Sequence, residues 1–287
     1  MKYLILITFL LTTMFTASAA THNTKLMNGQ SKTYDRKYNL TENTKFTLTF
    51  ETTGKQITKQ CGENIEAKIT STGNLVFSVL KIDNDGNIEL EVEYKNLTFN
   101  LGHPKGPLKT DFSPLVGHKV RFSISATGKA FGFEGFEDLP PINRDLLGLM
   151  TKEDHIKPFT KLFPFMPASP KNVGESWTEI VSFENDDEIE QNNFAYTILE
   201  ETKVDGYNCL KIKATREITN SGVTVQNGTE IERELEGEGE SIIYFAYEEG
   251  MVLKIEEATA LEGTIRAGDQ IIPTSKETIT KIKMNFD

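Results

Sequence analysis

The chain has few of the residues that metal centres and nucleophilic active sites most often use. Its 287 residues include two cysteines, four histidines and one tryptophan. No histidine stands at metal-ligand spacing from another histidine, a cysteine or a glutamate. There is no Gly-x-Ser-x-Gly elbow, no Ser-x-x-Lys with supporting motifs and no glycine-rich phosphate loop. The sequence therefore predicts no cofactor and no metal site, and it favours a non-catalytic protein over an enzyme.

Positive charge is also in short supply. The 31 Lys and Arg residues are outnumbered by 42 Asp and Glu residues, which gives a formal net charge of −11. Such a surface repels phosphate backbones and anionic membrane surfaces. No basic stripe with interleaved aromatic residues offsets this charge. We therefore predict no nucleic-acid partner.

A long apolar run is found at the amino terminus alone. Met1-Lys2 is a minimal positive region, Tyr3 to Thr16 is almost uncharged and apolar, and Ala17-Ser18-Ala19 is a small-x-small site. This order is typical of a cleaved signal peptide, although a buried helix is the alternative, and the run is too short to favour a transmembrane anchor. We predict a signal peptide over residues 1–20, a flexible leader over 21–35, and export to the periplasm, cell envelope or exterior.

The two cysteines lie one in each half of the chain, at Cys61 and Cys209. In an oxidising compartment an even number of cysteines is compatible with a disulfide, and a loop this long would give a stabilisation on the order of 4–5 kcal/mol. Alternation places Cys209 on the same strand face as Lys211 and Lys213, the less buried face. A disulfide and two free thiols both stay open, because the sequence does not give the distance between the two Cα atoms.

Alternation of apolar and polar residues is the dominant pattern. Phe46, Leu48 and Phe50 alternate with threonines, which is typical of a strand with one buried face. Asp85-Gly86 separates two such runs and predicts a tight hairpin. Asp83-x-Asp85-Gly86 also resembles the start of a calcium loop, but it lacks the later ligands and is better interpreted as a turn.

The alternating pattern fills two segments of similar length, so the predicted fold is mainly β. We predict two similar antiparallel β-sheet halves, curved as half-barrels, with short helices between them. The first half covers residues 36–138, a helical and proline-rich connector covers 139–172, and the second half covers 173–287. We favour a duplicated unit, while chance similarity between two β-meanders stays open. In the second half the acidic run Glu230 to Glu236 alternates, so these carboxylates are predicted on a solvated strand face.

In the connector the period changes from two to about 3.6. Asn143 can cap one short helix, and Thr151 to Asp154 resembles the capped start of a second. The predicted apolar positions are Leu146, Leu147, Leu149 and Met150 in the first helix, and Ile156, Phe159, Leu162 and Phe163 in the second. Prolines at 164, 167 and 170 then exclude a continuous helix or central strand. These helices either pack as core or form a lid over a cavity.

Several motifs together resemble an uncharacterised family of exported bacterial proteins. The sharpest is Val173-Gly174-Glu175-Ser176-Trp177, and it is joined by Tyr38-x-Leu40, Phe77-x-Val79-x-x-Ile82-Asp83-x-Asp85-Gly86, Phe122-Ser123-Ile124-Ser125-x-x-Gly128, Phe163-Pro164-x-x-Pro167 and Gly237-x-Gly239-x-x-x-x-Tyr244-Phe245. This resemblance implies a cell-envelope compartment and a β fold, with no established activity. More loosely, tandem antiparallel sheets with short helices resemble the LolA-like periplasmic carriers.

Three functions follow as hypotheses. The first is a binding or carrier protein for a hydrophobic small molecule or lipid, the second is a structural or interaction module that meets an envelope protein, and the third is an unrecognised hydrolase. For the carrier we predict ligand-lining residues among the aromatic side chains, with plain core packing as the alternative. The residues are Phe77, Phe122, Phe159, Phe163, Trp177 and Phe245.

Overall fold

The computed structural model describes residues 34, 37–60, 62–104, 106–143, 150–185, 188–226 and 229–286. Strands dominate these residues. They are β1 (Lys45–Gln60), β2 (Glu63–Ile82), β3 (Ile88–His103), β4 (Gly106–Thr110), β5 (Lys119–Ile124), β6 (Ala130–Glu134), β7 (Ser176–Glu184), β8 (Glu188–Val204), β9 (Tyr207–Gln226), β10 (Thr229–Ala246), β11 (Met251–Ala267) and β12 (Gln270–Phe286). A 3-10 turn covers Ser113–Leu115, and one helix, α1, covers Lys152–Ile156.

All twelve strands belong to one antiparallel sheet. Its order is β6-β5-β3-β2-β1-β12-β11-β10-β9-β8-β7, and β4 pairs with β3 beside this path. The predicted mainly β fold is confirmed. The two sets of strands, β1–β6 and β7–β12, meet edge to edge where β1 pairs with β12 from Phe46–Phe286 to Thr58–Thr274. The first and last strands of the chain therefore lie at the centre of the sheet.

The strands are longer than the alternating patterns that indicated them. β2 has 20 residues and runs without interruption through Gly73. A Cβ atom on Gly73 would lie 2.2 Å from Cε1 of Phe50 and 2.6 Å from Cδ2 of Leu97. Gly73 therefore does not mark a turn. Its lack of a side chain lets Phe50 and Leu97 pack closely against the strand.

The predicted hairpin turns are confirmed. Gly86 has φ +79°, which an L-residue rarely adopts, and the Asp83 carboxylate accepts 2.9 Å hydrogen bonds from the amides of Asp85 and Asn87. The Asp83 carboxylate is thus used in the turn. Asp205 and Gly206 form a second tight turn between β8 and β9.

The connector is partly as predicted. Thr151 caps α1 with a capping box in which its side chain accepts from the Asp154 amide, while the Asp154 carboxylate accepts from the Thr151 amide. The helix ends at Ile156, and Phe159 and Phe163 beyond it are buried. The helix predicted after Asn143, with Leu146, Leu147 and Leu149, lies outside the described residues.

The main core lies between the connector and one face of the sheet, which we call the inner face. Aromatic rings fill it: Phe46 stacks on Phe77 with centroids 4.8 Å apart, and Phe163 meets Phe77 edge to face at 6.2 Å. Tyr38 joins this group through Phe163 and Phe245. Among the described residues, no helix has the length and apolar character that a membrane span requires.

Cys209 differs from the prediction in its burial. It shares a strand face with Lys211 and Lys213, as alternation indicated, but it is fully buried against Ala246 and Leu253. Small apolar neighbours therefore cover this part of the outer face. Cys61 lies outside the described residues, so the disulfide stays a prediction.

Candidate functional site

Along the strands the inner face changes from apolar to polar. Phe46 on β1 and Phe286 on β12 are paired in the main core, and further along the same faces Gln56 is paired with Lys276. With the exception of His155 in α1, the buried polar residues of the described chain lie on this face. They are Thr52, Gln56, Thr58, Ser71, Glu190, Asn192, Arg216, Asn220, Ser241, Thr259, Thr274, Lys276 and Thr278.

A group of charged side chains occupies this polar part, and we call it the inner polar cluster. It consists of Lys157 and Lys161 from the connector, Glu188 and Glu190 on β8, Arg216 on β9, Arg233 on β10, Glu257 on β11 and Lys276 on β12. Within the described part of the chain these are five basic side chains and three carboxylates. Charges inside a protein are costly unless they are paired, so the partners of each charged group in this cluster matter for stability.

Glu190 is the most buried carboxylate of the cluster. It forms ion pairs with Lys157, at 2.7 Å, and with Lys161, and it accepts a 2.9 Å hydrogen bond from the side-chain amide of Asn192. Asn220 donates a further hydrogen bond to it at 3.3 Å. Four side chains from the connector, β8 and β9 therefore hold this carboxylate in place.

Glu188 binds a second set of partners. Lys157 lies 2.6 Å from it, the side-chain amide of Asn220 donates to it at 2.6 Å, and Arg233 forms an ion pair with it. Lys157 therefore bridges both carboxylates and ties the connector to β8.

These contacts keep both carboxyl groups ionised. Burial raises the pKa of Glu190, but Lys161 and Lys157 outweigh it and hold the pKa well below its ordinary value. Burial also raises the pKa of Glu188, and Lys157 and Arg233 again leave it lowered. A general acid needs a raised pKa, so neither carboxyl group is suited to that role.

Gly239 leaves room for the side chain of Arg216 on the inner face. The Arg216 guanidinium crosses over β10 to donate a 2.7 Å hydrogen bond to Thr259 and to pair with Glu257, both on β11. A Cβ atom on Gly239 would lie only 2.7 Å from Nε of Arg216. A larger residue at position 239 would therefore displace the guanidinium.

Lys276 lies on the inner face of β12, four strands from β8 in the sheet order. Electrostatic attraction by Glu190 on β8 acts to raise its pKa. Burial dominates and, with repulsion from Lys157 and Lys161, lowers the pKa of Lys276 to about 7. Glu190 and Lys276 thus lie near enough on the inner face of the curved sheet to interact electrostatically.

Three buried polar atoms of this region have no hydrogen-bond partner within the described part of the chain. They are Oε1 of Gln56, Oδ1 of Asn192 and Nε of Arg216. Buried polar atoms are nearly always paired with protein, water or a bound molecule. They mark the inner face as a place where a polar group other than protein can be held.

Small apolar clusters lie beside these polar atoms and are separate from the main core. One consists of Ile218, Leu235 and Leu261, and the other of Ile231, Ile265, Ala267 and Ile272. The strand pairing puts Leu261 directly next to Lys276. Apolar and charged side chains therefore adjoin on one enclosed surface.

The aromatic residues predicted to line a ligand site are mostly brought together. Phe122 contacts Phe159 and Phe163, with ring centroids 5.2 and 6.2 Å apart, and Phe77 also contacts Phe163. Phe245 joins them through Tyr38. Trp177 packs against the same main core, where its ring stacks on Tyr196 with centroids 5.1 Å apart. These rings pack against each other as core, and a role in lining a ligand stays a prediction.

The inner polar cluster was missed at the level of sequence. The run of acidic residues before Asn192 resembles an exposed turn, but β8 begins at Glu188, and Glu190 is 3% exposed. The lysine partners of these carboxylates come from the connector, which is distant in sequence. The alternation of Glu188, Glu190 and Asn192 on one strand face is the signal that could have found them.

The histidines and the other acidic residues form no metal site in the described ranges. No group of three or more His, Cys, Asp or Glu residues is arranged to hold an ion within residues 37–60, 62–104, 106–143, 150–185, 188–226 and 229–286. His155 is buried in α1 and His118 is exposed. Glu230, Glu232, Glu234 and Glu236 all lie on the exposed face of β10, as predicted.

Comparison with known proteins gives no family. No family model and no curated protein matches the chain. A structure titled for lipid-protein interactions in lipovitellin is 9% identical, with a TM-score of 0.48, over 87% of this chain and 26% of that chain. The chain thus spans about a quarter of the lipovitellin it matches.

Two further solved structures match this chain over nearly their whole length. A protein from Bacteroides fragilis NCTC 9343, described as exported and with a YmcC-like fold, is 9% identical, with a TM-score of 0.24, over 85% of this chain and 98% of that chain. An outer membrane channel from Pseudomonas putida F1 is 6% identical, with a TM-score of 0.25, over 91% and 100%. At these sequence identities and TM-scores, the three similarities carry no argument about function.

Proposed function

We propose that the protein is an exported, non-catalytic carrier that encloses the apolar chain of an amphiphile along the inner face of its curled sheet. The observation that carries this proposal is the joint presence, on one buried surface, of apolar clusters separate from the main core and of polar atoms without a protein partner. Ligand sites are typically apolar surfaces with a few placed polar groups.

The energetics favour a bound molecule over bare protein. Each buried polar atom left without a hydrogen bond costs roughly 1–3 kcal/mol, so the unpaired atoms of Gln56, Asn192 and Arg216 together form a sizeable penalty. A ligand with a polar end removes part of this cost. Its apolar chain would contact Leu261, Ile265 and nearby side chains.

In this proposal the aromatic core closes one end of the site and does not line the acyl chain. Phe77, Phe122, Phe159 and Phe163 pack tightly between the connector and the sheet. They form the floor that closes one end of the inner face, and the ligand lies beyond them. The predicted signal peptide and the resemblance to periplasmic carriers agree with an exported protein that transports or shields a lipid.

Native mass spectrometry tests the proposal. The mature protein is purified without detergent from an exporting host, and its native and denatured masses are compared. We expect an adduct in the mass range of a fatty acid or phospholipid that is lost on denaturation. A bare native mass, together with no uptake of added hexadecanoate, would overturn the carrier function.

Two neighbouring residues provide a matched pair of variants for this experiment. Ile272 is buried on the inner face, whereas Ile271 is 58% exposed on the outer face. Ile272→Asn should reduce the amount of adduct, and Ile271→Asn should leave it unchanged. Equal adducts in both variants would place the bound molecule elsewhere on the protein.

A further inference from the structure

We infer that the carried amphiphile has an uncharged head group with at least two hydroxyl groups, and that Asn192, Arg216 and Gln56 bind it on the inner face. This inference rests on the proposed carrier function and adds the chemical class of the ligand, which is an acyl chain attached to a polyol such as glycerol or a sugar.

A buried donor and a buried acceptor on adjacent strands carry the first step. Arg216 on β9 is paired with Phe194 on β8, and Asn192 is the next residue of β8 on the same face, so Arg216 and Asn192 are diagonal neighbours. Nε of Arg216 and Oδ1 of Asn192 have no hydrogen-bond partner in the described part of the chain. Their side chains are 6% and 1% exposed. A single group that contacts both atoms must accept one hydrogen bond and donate another.

Other contacts of the two side chains fix which atom donates and which accepts. The amide nitrogen of Asn192 donates at 2.9 Å to the carboxylate of Glu190, which can only accept, so the amide oxygen is directed elsewhere. Nη2 of Arg216 donates to Thr259 at 2.7 Å, and its Nε–H is a separate donor. A hydroxyl group fits this pair of atoms, because its oxygen accepts and its O–H donates.

The same contacts disfavour an anionic head group. A carboxylate has no hydrogen to donate to Oδ1 of Asn192. It would also lie beside Glu190, which is bonded to Asn192 and is kept ionised by Lys161 and Lys157. Two negative charges this close repel each other strongly in a buried site. The head group that suits Asn192 is therefore uncharged.

Gln56 adds a second buried acceptor. Its side chain is 6% exposed, and Oε1 has no hydrogen-bond partner among the described residues. A hydroxyl group satisfies the amide of Gln56 in either orientation, because it can donate or accept. Two acceptors and one donor together indicate a head group with at least two hydroxyl groups.

The register of the sheet places Gln56 and Asn192 in one transverse row of the inner face. From β1 to β8 the paired residues are Gln56, Lys276, Leu261, Gly237, Ile218 and Asn192. Four steps of about 4.8 Å separate β12 from β8, which is about 19 Å along the sheet. Lys276 and Glu190 nevertheless interact electrostatically, so the curvature of the sheet brings the two ends of this row closer together.

Apolar side chains lie directly beside the proposed head-group site. Ile218 is paired with Asn192, and it packs with Leu235 and Leu261 in one of the small apolar clusters. Ile265 and Ile272 belong to the next cluster toward the far ends of β11 and β12. A polyol bound at Asn192 and Gln56 would thus direct its acyl chain along these residues.

The test compares three probes with one chain length by isothermal titration calorimetry, below the concentrations at which they form micelles. They are 1-dodecanoylglycerol, with two hydroxyl groups, methyl dodecanoate, with the ester alone, and dodecanoate, with a carboxylate. We expect 1-dodecanoylglycerol to bind about tenfold to hundredfold more tightly than methyl dodecanoate, which is the effect of two hydrogen bonds between uncharged groups. Dodecanoate should also bind less tightly than 1-dodecanoylglycerol.

Variants of two adjacent asparagines locate the effect. Asn192→Leu should remove most of the preference for 1-dodecanoylglycerol over methyl dodecanoate and retain the binding of methyl dodecanoate. Asn193→Leu should retain the preference, because Asn193 lies on the outer face, where it accepts a 3.0 Å hydrogen bond from Gln191. If Asn192→Leu does not fold, Gln56→Leu should weaken the preference in the same direction.

The outcomes separate this inference from the carrier function. Equal affinity for 1-dodecanoylglycerol and methyl dodecanoate, or a preference that survives both Asn192→Leu and Gln56→Leu, would overturn the polyol site and leave the carrier function standing. Tighter binding of dodecanoate than of 1-dodecanoylglycerol would show an anionic head group and would also overturn this inference. Binding of none of the three probes would overturn both proposals.

Discussion

The indole N–H of Trp177 donates a 2.9 Å hydrogen bond to the carbonyl oxygen of Phe165, and the hydroxyl of Tyr196 accepts from the amide of the same residue at 3.5 Å. The rings of Trp177 and Tyr196 are themselves stacked 5.1 Å apart. The only tryptophan of the chain and Tyr196 thus both bind the backbone of Phe165 in the connector. This contact fixes the connector against β7 and β8, the strands on which Trp177 and Tyr196 lie.

Trp177→Phe should keep the ring stacking and lose the hydrogen bond. We expect the free energy of unfolding to fall by about 0.5–1.5 kcal/mol, measured by urea unfolding followed by circular dichroism. Tyr196→Phe should cost less, because its hydrogen bond is longer. If Trp177→Phe is as stable as the wild type, Trp177 does not hold the connector.

Glu190→Gln removes the negative charge that faces Lys157 and Lys161 while keeping the volume of the side chain. Lys161 then loses its carboxylate, Lys157 keeps Glu188 alone, and we expect a loss of about 3–5 kcal/mol in unfolding free energy. Glu277→Gln is the control, since its ion pair with Lys55 at 3.0 Å is half exposed and should contribute less than about 1 kcal/mol. Similar losses in the two variants would contradict the assignment of a buried cluster.

Lys276 makes stability depend on pH. Its pKa is about 7 in the folded protein, under the influence of burial, Glu190, Lys157 and Lys161, against about 10.4 in an unfolded chain. Between these values the unfolded chain binds a proton that the folded protein does not bind, so stability rises with pH from about 7 to about 10. Below about pH 7 the full cost of the buried charge is present.

Lys276→Met should therefore be more stable than the wild type at neutral pH and should show a smaller rise toward alkaline pH. Lys161, whose pKa is also lowered, should maintain a residual rise in the variant. Urea midpoints measured across this range for Lys276→Met and the control Lys283→Met check the prediction. An unchanged pH dependence in Lys276→Met would show that burial does not lower the pKa of Lys276.

Gly237→Ala tests the close approach of β10 and β11. A Cβ atom at this position would lie 1.6 Å from the carbonyl oxygen of Ala260, so the strands must move apart or the chain must unfold. We expect a loss of at least about 2 kcal/mol, in the range of an overpacked core. Gly102→Ala is the control, because its nearest neighbour would be Cβ of Lys68 at an ordinary 3.6 Å. Equal stability of the two variants would contradict the close approach of β10 and β11 at Gly237.

Local signals account for what the sequence could predict. The strand faces of Phe46 to Phe50, the turn at Asp85-Gly86 and the cap at Thr151 each depend on neighbours within a few residues, and each is confirmed. The pairing of β1 with β12 depends on residues at opposite ends of the chain. No periodicity within either strand specifies that partner, so the single continuous sheet could not be predicted.

The inner polar cluster shows the same limit for function. Glu190 stands in a charged stretch that is typical of a protein surface. Lys157 and Lys161 of the connector pair with its carboxylate in the interior, and they are distant in sequence. Gly237 and Gly239 likewise give no indication in sequence of whether they mark a turn or a close approach between strands. Their neighbours in space, Ala260 and Arg216, decide this.

The enclosure of an acyl chain by the inner face is tested most directly by a crystal structure of the protein with hexadecanoate that carries bromine at its methyl end. The anomalous signal locates the bromine without reference to the protein. We predict a bromine peak on the inner face near Ile265 and Ile272, in the apolar cluster beyond Lys276. A peak on the outer face, or no peak at saturating ligand, would contradict the account.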